Sequence, residues 1–165
     1  MRHLIDFGDL TRAEWESLYQ RCSDIMDHPA DFMDACRGRV MASLFYEPST
    51  RTNFSFQTAM LRVGGTVFGF ADPKSTSTAK GETLKDTIKM VSGYADVVVM
   101  RNPKEGAAKA ASLYSDVPVI NAGDGGHMHP TQTTADLTTI TRLRGKVDGL
   151  SVGLCGDLQN GRTVH

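Results

Sequence analysis

Residues 96–101 read Asp-Val-Val-Val-Met-Arg, an unbroken apolar run closed at both ends by a charge. A strand with one wet face alternates polar and apolar side chains. A continuous apolar core is what a strand buried on both faces requires. Outward from this strand the chain alternates in type. Glu82 to Tyr94 reads as a helix with Leu84, Ile88 and Val91 inward, and Glu105 to Tyr114 as an alanine-rich helix. Beyond them lie three more apolar strands: Arg39 to Tyr46, Thr66 to Phe70 and Val117 to Asn121. Two further helices span Asn53 to Val63, ended by Gly64-Gly65, and Thr131 to Leu143, opened by Pro130. Near the N-terminus, Thr11 and Glu14 form a capping box. It precedes a helix whose apolar face is Trp15, Leu18, Tyr19, Cys22, Ile25 and Met26, ended before Pro29.

This alternation predicts an α/β fold of three αβα layers, with a central parallel sheet covered by helices on both faces. Leu150 to Gly156 predicts one more strand, followed by a turn over Asp157 to Gly161. A βαβ crossover needs a dozen or more residues. These last residues therefore read as the opening of a second α/β domain.

The composition narrows the function classes. A length of 165 residues is about one domain. With 40% hydrophobic and 22% charged residues the chain is globular rather than disordered. Eighteen basic and nineteen acidic residues leave a net charge of -1, which argues against a general polyanion-binding surface and so against nucleic acid. No apolar run approaches the ~20 residues of a membrane span, and the first residues lack the apolar core of a signal peptide. Cys22, Cys36 and Cys155 form no CxxC pair. They fit free thiols in a reducing cytoplasm rather than a disulfide framework or a structural zinc site.

Parallel sheets bind ligands at the carboxyl ends of their strands. Three polar segments fall there: Glu47 to Thr52, Arg101 to Lys104 and Ala122 to Gln132. Ser49-Thr50-Arg51-Thr52 sets three hydroxyls and a guanidinium where a helix begins, and a helix N-terminus offers unpaired N–H groups and partial positive charge. That is a phosphate cradle; it is equally an N-cap cluster with a solvated arginine. Arg101 ends its strand at the same edge of the sheet. His129 and Gln132 lie near the start of the next helix, where each could donate to a carbonyl oxygen. Asp124, His127 and His129 could be read as metal ligands, but no further spaced set completes a site. Lys80 lies in a Ser/Thr-rich loop that could close over an anion. Gly156 to Thr163 nearly fits a P-loop, with Arg162 where the motif needs lysine, which speaks against a nucleotide hydrolase.

Taken together, these segments resemble a known family. Phe45-Tyr46-Glu47-Pro48-Ser49-Thr50-Arg51-Thr52 is similar to the carbamoyl phosphate signature of the carbamoyltransferases, and His129-Pro130-Thr131-Gln132 to their second signature. Lys80-Gly81-Glu82-Thr83-Leu84-Lys85-Asp86-Thr87 resembles the mobile loop of the aspartate branch. Gly156 to His165 is similar to the start of that branch's aspartate-binding domain. The ornithine branch shares S-T-R-T and H-P-x-Q. Glu-Pro before S-T-R-T and the K-G-E-T loop favour the aspartate branch.

The resemblance implies a carbamoyl phosphate domain over 1–144, including a linking helix, and the first strand and turn of an incomplete aspartate domain over 145–165. It implies transfer of the carbamoyl group of carbamoyl phosphate to L-aspartate, an early step of pyrimidine biosynthesis, with no cofactor and no metal. Ser49, Thr50, Arg51 and Thr52 would hold the phosphate. Arg101, His129 and Thr52 would meet the carbonyl oxygen, and Gln132 the amide. Arg162 would bind an aspartate carboxylate. Lys80, with Thr76 or Ser77 beside it, would enter a neighbouring site of a cytoplasmic homotrimer, which in this family can carry a regulatory subunit. The other expectation is that the 165-residue chain alone is only a carbamoyl phosphate-binding module or an inactive fragment.

Overall fold

A computed structural model describes residues 1–158 and 161–164. Gln159, Asn160 and His165 lie outside the described residues, so the turn expected over 157–161 is covered only in part. Four strands, β1 (Val40–Phe45), β2 (Thr66–Phe70), β3 (Val97–Asn102) and β4 (Val119–Asp124), form one sheet in the order β2-β1-β3-β4. Every pairing between them is parallel. Among the described residues five α-helices accompany them: α1 (Arg12–Asp27), α2 (Thr50–Arg62), α3 (Leu84–Ser92), α4 (Ala107–Ser112) and α5 (Pro130–Arg144). The expected parallel α/β architecture is the observed one.

The two faces of the sheet carry separate cores. On one, Ala42, Leu44, Val98, Met100 and Val119 pack against Ile88 and Val91 of α3 and Ala107, Ala108 and Ala111 of α4. On the other, Met41, Phe45, Val99 and Ala122 pack with Met60, Phe56 and Val63 of the α2 region. Right-handed crossovers explain the division. The chain leaves β1 in one direction to β2, then returns past β1 to β3 and on to β4. Helices made on the outward and return legs fall on opposite faces. The alanine face of α4 removes bulk between helix and sheet. α5 leaves β4 and packs on α1, and exposed ion pairs join Asp27 to Arg142 and Arg12 to Asp148.

Most boundaries shift by one or two residues, and three departures from expectation matter more. α2 begins at Thr50 rather than Asn53, with Ser49 as its N-cap. The polar run Ser49 to Thr52 is itself the first turn, and it hides the apolar period by which a helix is recognised. β4 continues to Asp124, because a register shift between Met100 and Asn102 lets Asp124 pair with Asn102. The third is a correction: Leu150 to Gly156 is not a strand. A strand exists through its ladder to a neighbour. Leu4 pairs in parallel with Ile120 outside β4, and among the described residues none forms a ladder with 150–156. Val152 and Leu154 are accordingly 65% and 53% exposed. Among the described residues no helix is long and apolar enough to cross a membrane.

Leu44 is 1% exposed and Leu143 is 77% exposed. Leu44→Ala should lower the unfolding free energy by about 2–5 kcal/mol. Leu143→Ala should stay within about 0.5 kcal/mol of the parent. Chemical denaturation midpoints at constant m-value check both.

Candidate functional site

The strand order reverses at β1, so β1 and β3 are neighbours whose following segments lead to opposite sides. A crevice opens between such strands at their carboxyl ends. Phe45 pairs with Arg101, and the N–H of Tyr46 donates to the carbonyl of Arg101 at 2.9 Å. That bond fixes the strand-end arginine beside the segment leading into α2. A cleft of about 970 Å³ lies there. Its walls come from Pro48 to Thr52 and Phe56 of α2's entry and first turns, Arg101 of β3, His129, Thr131 and Gln132 at the head of α5, and Arg162.

The structure brings together Ser49, Thr50, Arg51, Thr52, Arg101, His129, Gln132 and Arg162 in this one cleft. Ser49 sits at the N-cap of α2, yet its side chain makes no capping bond. The first-turn N–H groups of α2 are thus left without the usual internal acceptor. Arg51 has no ion-pair partner among the described residues.

Arg101 and Arg162 meet on one carboxylate. Nε of Arg101 donates to Oε1 of Glu47 at 2.7 Å, and Nη2 of Arg162 donates to the same oxygen at 3.3 Å. Nη1 of Arg101 also donates to the carbonyl of Ala122 at 3.4 Å. Burial and the neighbouring charge of Arg162 both lower the pKa of Arg101, yet a guanidinium stays charged in a protein. The described residues that line the cleft include three guanidiniums, Arg51, Arg101 and Arg162, and no carboxylate, a balance that favours an anion.

Gly123 makes this approach sterically possible. Its φ is +115°, a backbone region that glycine tolerates. A Cβ there would stand 2.8 Å from Nη1 of Arg162 and 3.1 Å from Nη1 of Arg101. Glu47 and Gly123 fall inside polar segments that the sequence singles out, but neither carries a role there. Glu47 could have been found from its place immediately after a buried strand and before the hydroxyl run.

His129 is the N-cap of α5 and is 9% exposed. Its Nδ1 lies 3.3 Å from the hydroxyl of Thr131. Burial lowers its pKa from 6.5 to about 4, helped by the charges of Arg101 and Arg162 and opposed by Asp136. The imidazole is therefore uncharged at neutral pH, with one N–H to donate. Gln132 lies within the first turn of α5, and its Nε2 donates to Asp136 at 3.0 Å.

Lys80 is not in the cleft. It lines a separate cavity of about 620 Å³, with Thr76, Ser77 and Lys74 of its own loop and Phe68, Phe70 and Met90 of β2 and α3. Asp124 receives N–H donors on both oxygens, and His127 stands 3.8 Å away. Among the described residues no three His, Cys, Asp or Glu side chains group as a metal site would.

Over residues 2–142 the sequence matches the family described as aspartate/ornithine carbamoyltransferase, carbamoyl-P binding domain. The chain belongs to the aspartate/ornithine carbamoyltransferase family. The aspartate carbamoyltransferase catalytic subunit of Clostridium perfringens is 56% identical over 164 residues, covering 99% of this chain and 53% of that protein. That of Clostridium acetobutylicum is 57% identical with the same coverage. Among solved structures, aspartate transcarbamoylase from Trypanosoma cruzi in complex with carbamoyl phosphate and aspartate superposes with a TM-score of 0.92 at 39% identity, over 99% of this chain and 54% of that one. The catalytic subunit of M. jannaschii aspartate transcarbamoylase superposes with a TM-score of 0.90 at 49% identity, over 99% of this chain and 54% of that one. The chain spans about half the length of the curated relatives it matches.

The buried imidazole gives this carbamoyltransferase-family chain a pH signature. The folded state refuses a proton that the unfolded state accepts, so protonation works against folding between 6.5 and about 4. Stability should fall as pH drops through that window, with this contribution levelling off below it. His129→Asn should lack this share of the slope. Denaturation midpoints across the window, with the imidazole followed by NMR, check the sign.

Proposed function

We propose that this chain is the carbamoyl phosphate-binding half of an aspartate carbamoyltransferase. The reaction transfers the carbamoyl group of carbamoyl phosphate to the amine of L-aspartate, giving N-carbamoyl-L-aspartate and phosphate, an early step of pyrimidine biosynthesis. One observation carries the proposal: the open N-terminus of α2, the Arg101–Arg162 pair and an uncharged, buried His129 share a single cleft. Kinship with aspartate enzymes that span the whole chain supports the choice of amine. In this proposal residues 1–144 are the carbamoyl phosphate domain, and 145–165 begin the aspartate domain.

The chemistry divides among the residues as follows. Ser49, Thr50, Arg51 and Thr52 hold the phosphate against the positive end of α2. Arg101 bridges the phosphate and the carbamoyl oxygen. The aspartate amine attacks the carbamoyl carbon, and negative charge gathers on that oxygen. Thr52, Arg101 and His129 donate to it, an oxyanion hole in which each donor is worth about 10²–10³ in rate. Gln132 holds the carbamoyl amide, and Arg162 receives an aspartate carboxylate. The bond to the bridging oxygen then breaks, and the departing phosphate takes the amine proton. The reaction calls for no covalent nucleophile and no cofactor. The proposed compartment is the cytoplasm, in keeping with three free cysteines.

Lys80 serves the site of a neighbouring subunit in a homotrimer, with Thr76 or Ser77 beside it. Its position in a second cavity, apart from the cleft of its own chain, supports this assignment.

Calorimetric titration of the chain with carbamoyl phosphate tests the binding step. The parent should bind, and Arg51→Ala should lose that binding. A variant that binds as the parent does overturns the assignment. The separation of Lys80 from the cleft favours a second reading, in which this chain alone is a binding module. It should then form no carbamoyl aspartate in a direct product assay, and robust turnover by the chain alone would rule that reading out.

A further inference from the structure

Asp124 is a buried carboxylate that the proposed reaction does not use. It lies at the end of β4 and is 2% exposed. Three donors from three different segments meet on it. The N–H of Gly106, at the head of α4, donates to Oδ2 at 2.9 Å. The N–H of Met128 donates to Oδ1 at 3.1 Å, and Nδ2 of the fully buried Asn121 donates to the same oxygen at 3.2 Å. The backbone of Asp124 adds a closed turn: its N–H donates to the carbonyl of Met128 at 3.2 Å, and its carbonyl accepts from the N–H of His127 at 3.1 Å. The next residue, Gly125, donates its N–H to the carbonyl of Asn102 at 2.8 Å.

The neighbours of these groups are the cleft. Met128 is followed by His129, Asn102 is preceded by Arg101, and Asp124 is preceded by the Gly123 on which Arg101 and Arg162 converge. We propose that Asp124 is a positioning residue, fastening the β4–α5 segment to the β3–α4 segment so that His129 and Arg101 face the same point of the cleft. It touches no substrate. The inference rests on the proposed function, in which those two groups donate to one carbonyl oxygen. A carboxylate suits this place because all three partners are N–H donors and it accepts only. An amide would turn its own N–H₂ towards one of them and leave that donor unpaired.

The test is Asp124→Asn in this chain, read first without ligand. The pKa of His129 is held near 4 by burial and by Arg101 and Arg162. Losing a nearby negative charge, with nothing moved, lowers an imidazole pKa further. Letting the loop drift from the arginines raises it. NMR titration should therefore show the His129 pKa of a folded Asp124→Asn chain moving up towards 6.5, and a pKa that stays or falls overturns the proposal. In the same variant, affinity for carbamoyl phosphate should fall about tenfold or more. If the parent binds no carbamoyl phosphate, the functional reading fails, while the ligand-free pKa comparison still decides this inference. Should Asp124→Asn not fold, amide exchange in the parent decides. The N–H groups of Gly106 and Met128 should be protected to a similar degree, and a difference beyond about tenfold overturns the fastening.

Discussion

The last rung of the β1–β3 ladder, the N–H of Tyr46 on the carbonyl of Arg101, sets where the chemistry can stand. These strands are neighbours only because the chain turns back across the sheet after β2. Their following segments then diverge, one into α2 and the other towards α4. The gap they leave is lined by the groups nearest the sheet, so it inherits the rigidity of buried strands. Phe45, Val99 and Met100, with 0% exposure, are the floor that keeps those segments from drifting.

Electrostatics then decides what that gap prefers. Arg101 and Arg162 would repel one another across Gly123, and the shared oxygen of Glu47 offsets that repulsion. The balance still leans positive, because Arg51 and the start of α2 add to it. Burial keeps a proton off His129, and the charges of Arg101 and Arg162 add to that effect. In the proposed function the same two arginines thus serve both the anion and the neutral hydrogen-bond donor.

Much of this was legible in the residues themselves. Asp96 to Arg101 announces a doubly buried strand because no polar residue interrupts it, and the capping box of Thr11 and Glu14 is present as written. Ser49 to Thr52 and His129 to Gln132 were recognisable because hydroxyls, guanidinium, imidazole and amide cluster where strands pass into helices. What escaped depends on tertiary pairing. The extension of β4 through Gly123 and Asp124 contradicts local turn propensity and exists through Asn102. Glu47 matters because two arginines, distant in sequence, reach it. Leu150 to Gly156 has the apolar content of a strand but no ladder to join. Local pattern reports what a segment can bury, and only its neighbours determine whether it is paired.

The pairing of Leu4 beside β4 has a consequence for how the molecule is made. The N–H of Leu4 donates to Val119, its carbonyl accepts from Asn121, and Nδ1 of His3 accepts from the N–H of Val119. Residues at the head of the chain thus wait for partners synthesised more than a hundred positions later. Contacts of such sequence separation carry a loop-closure cost and form late. Until they form, the outer edge of β4 is a bare ladder open to another chain. Sealing that edge therefore requires the whole span from Leu4 to Asn121 to be brought together.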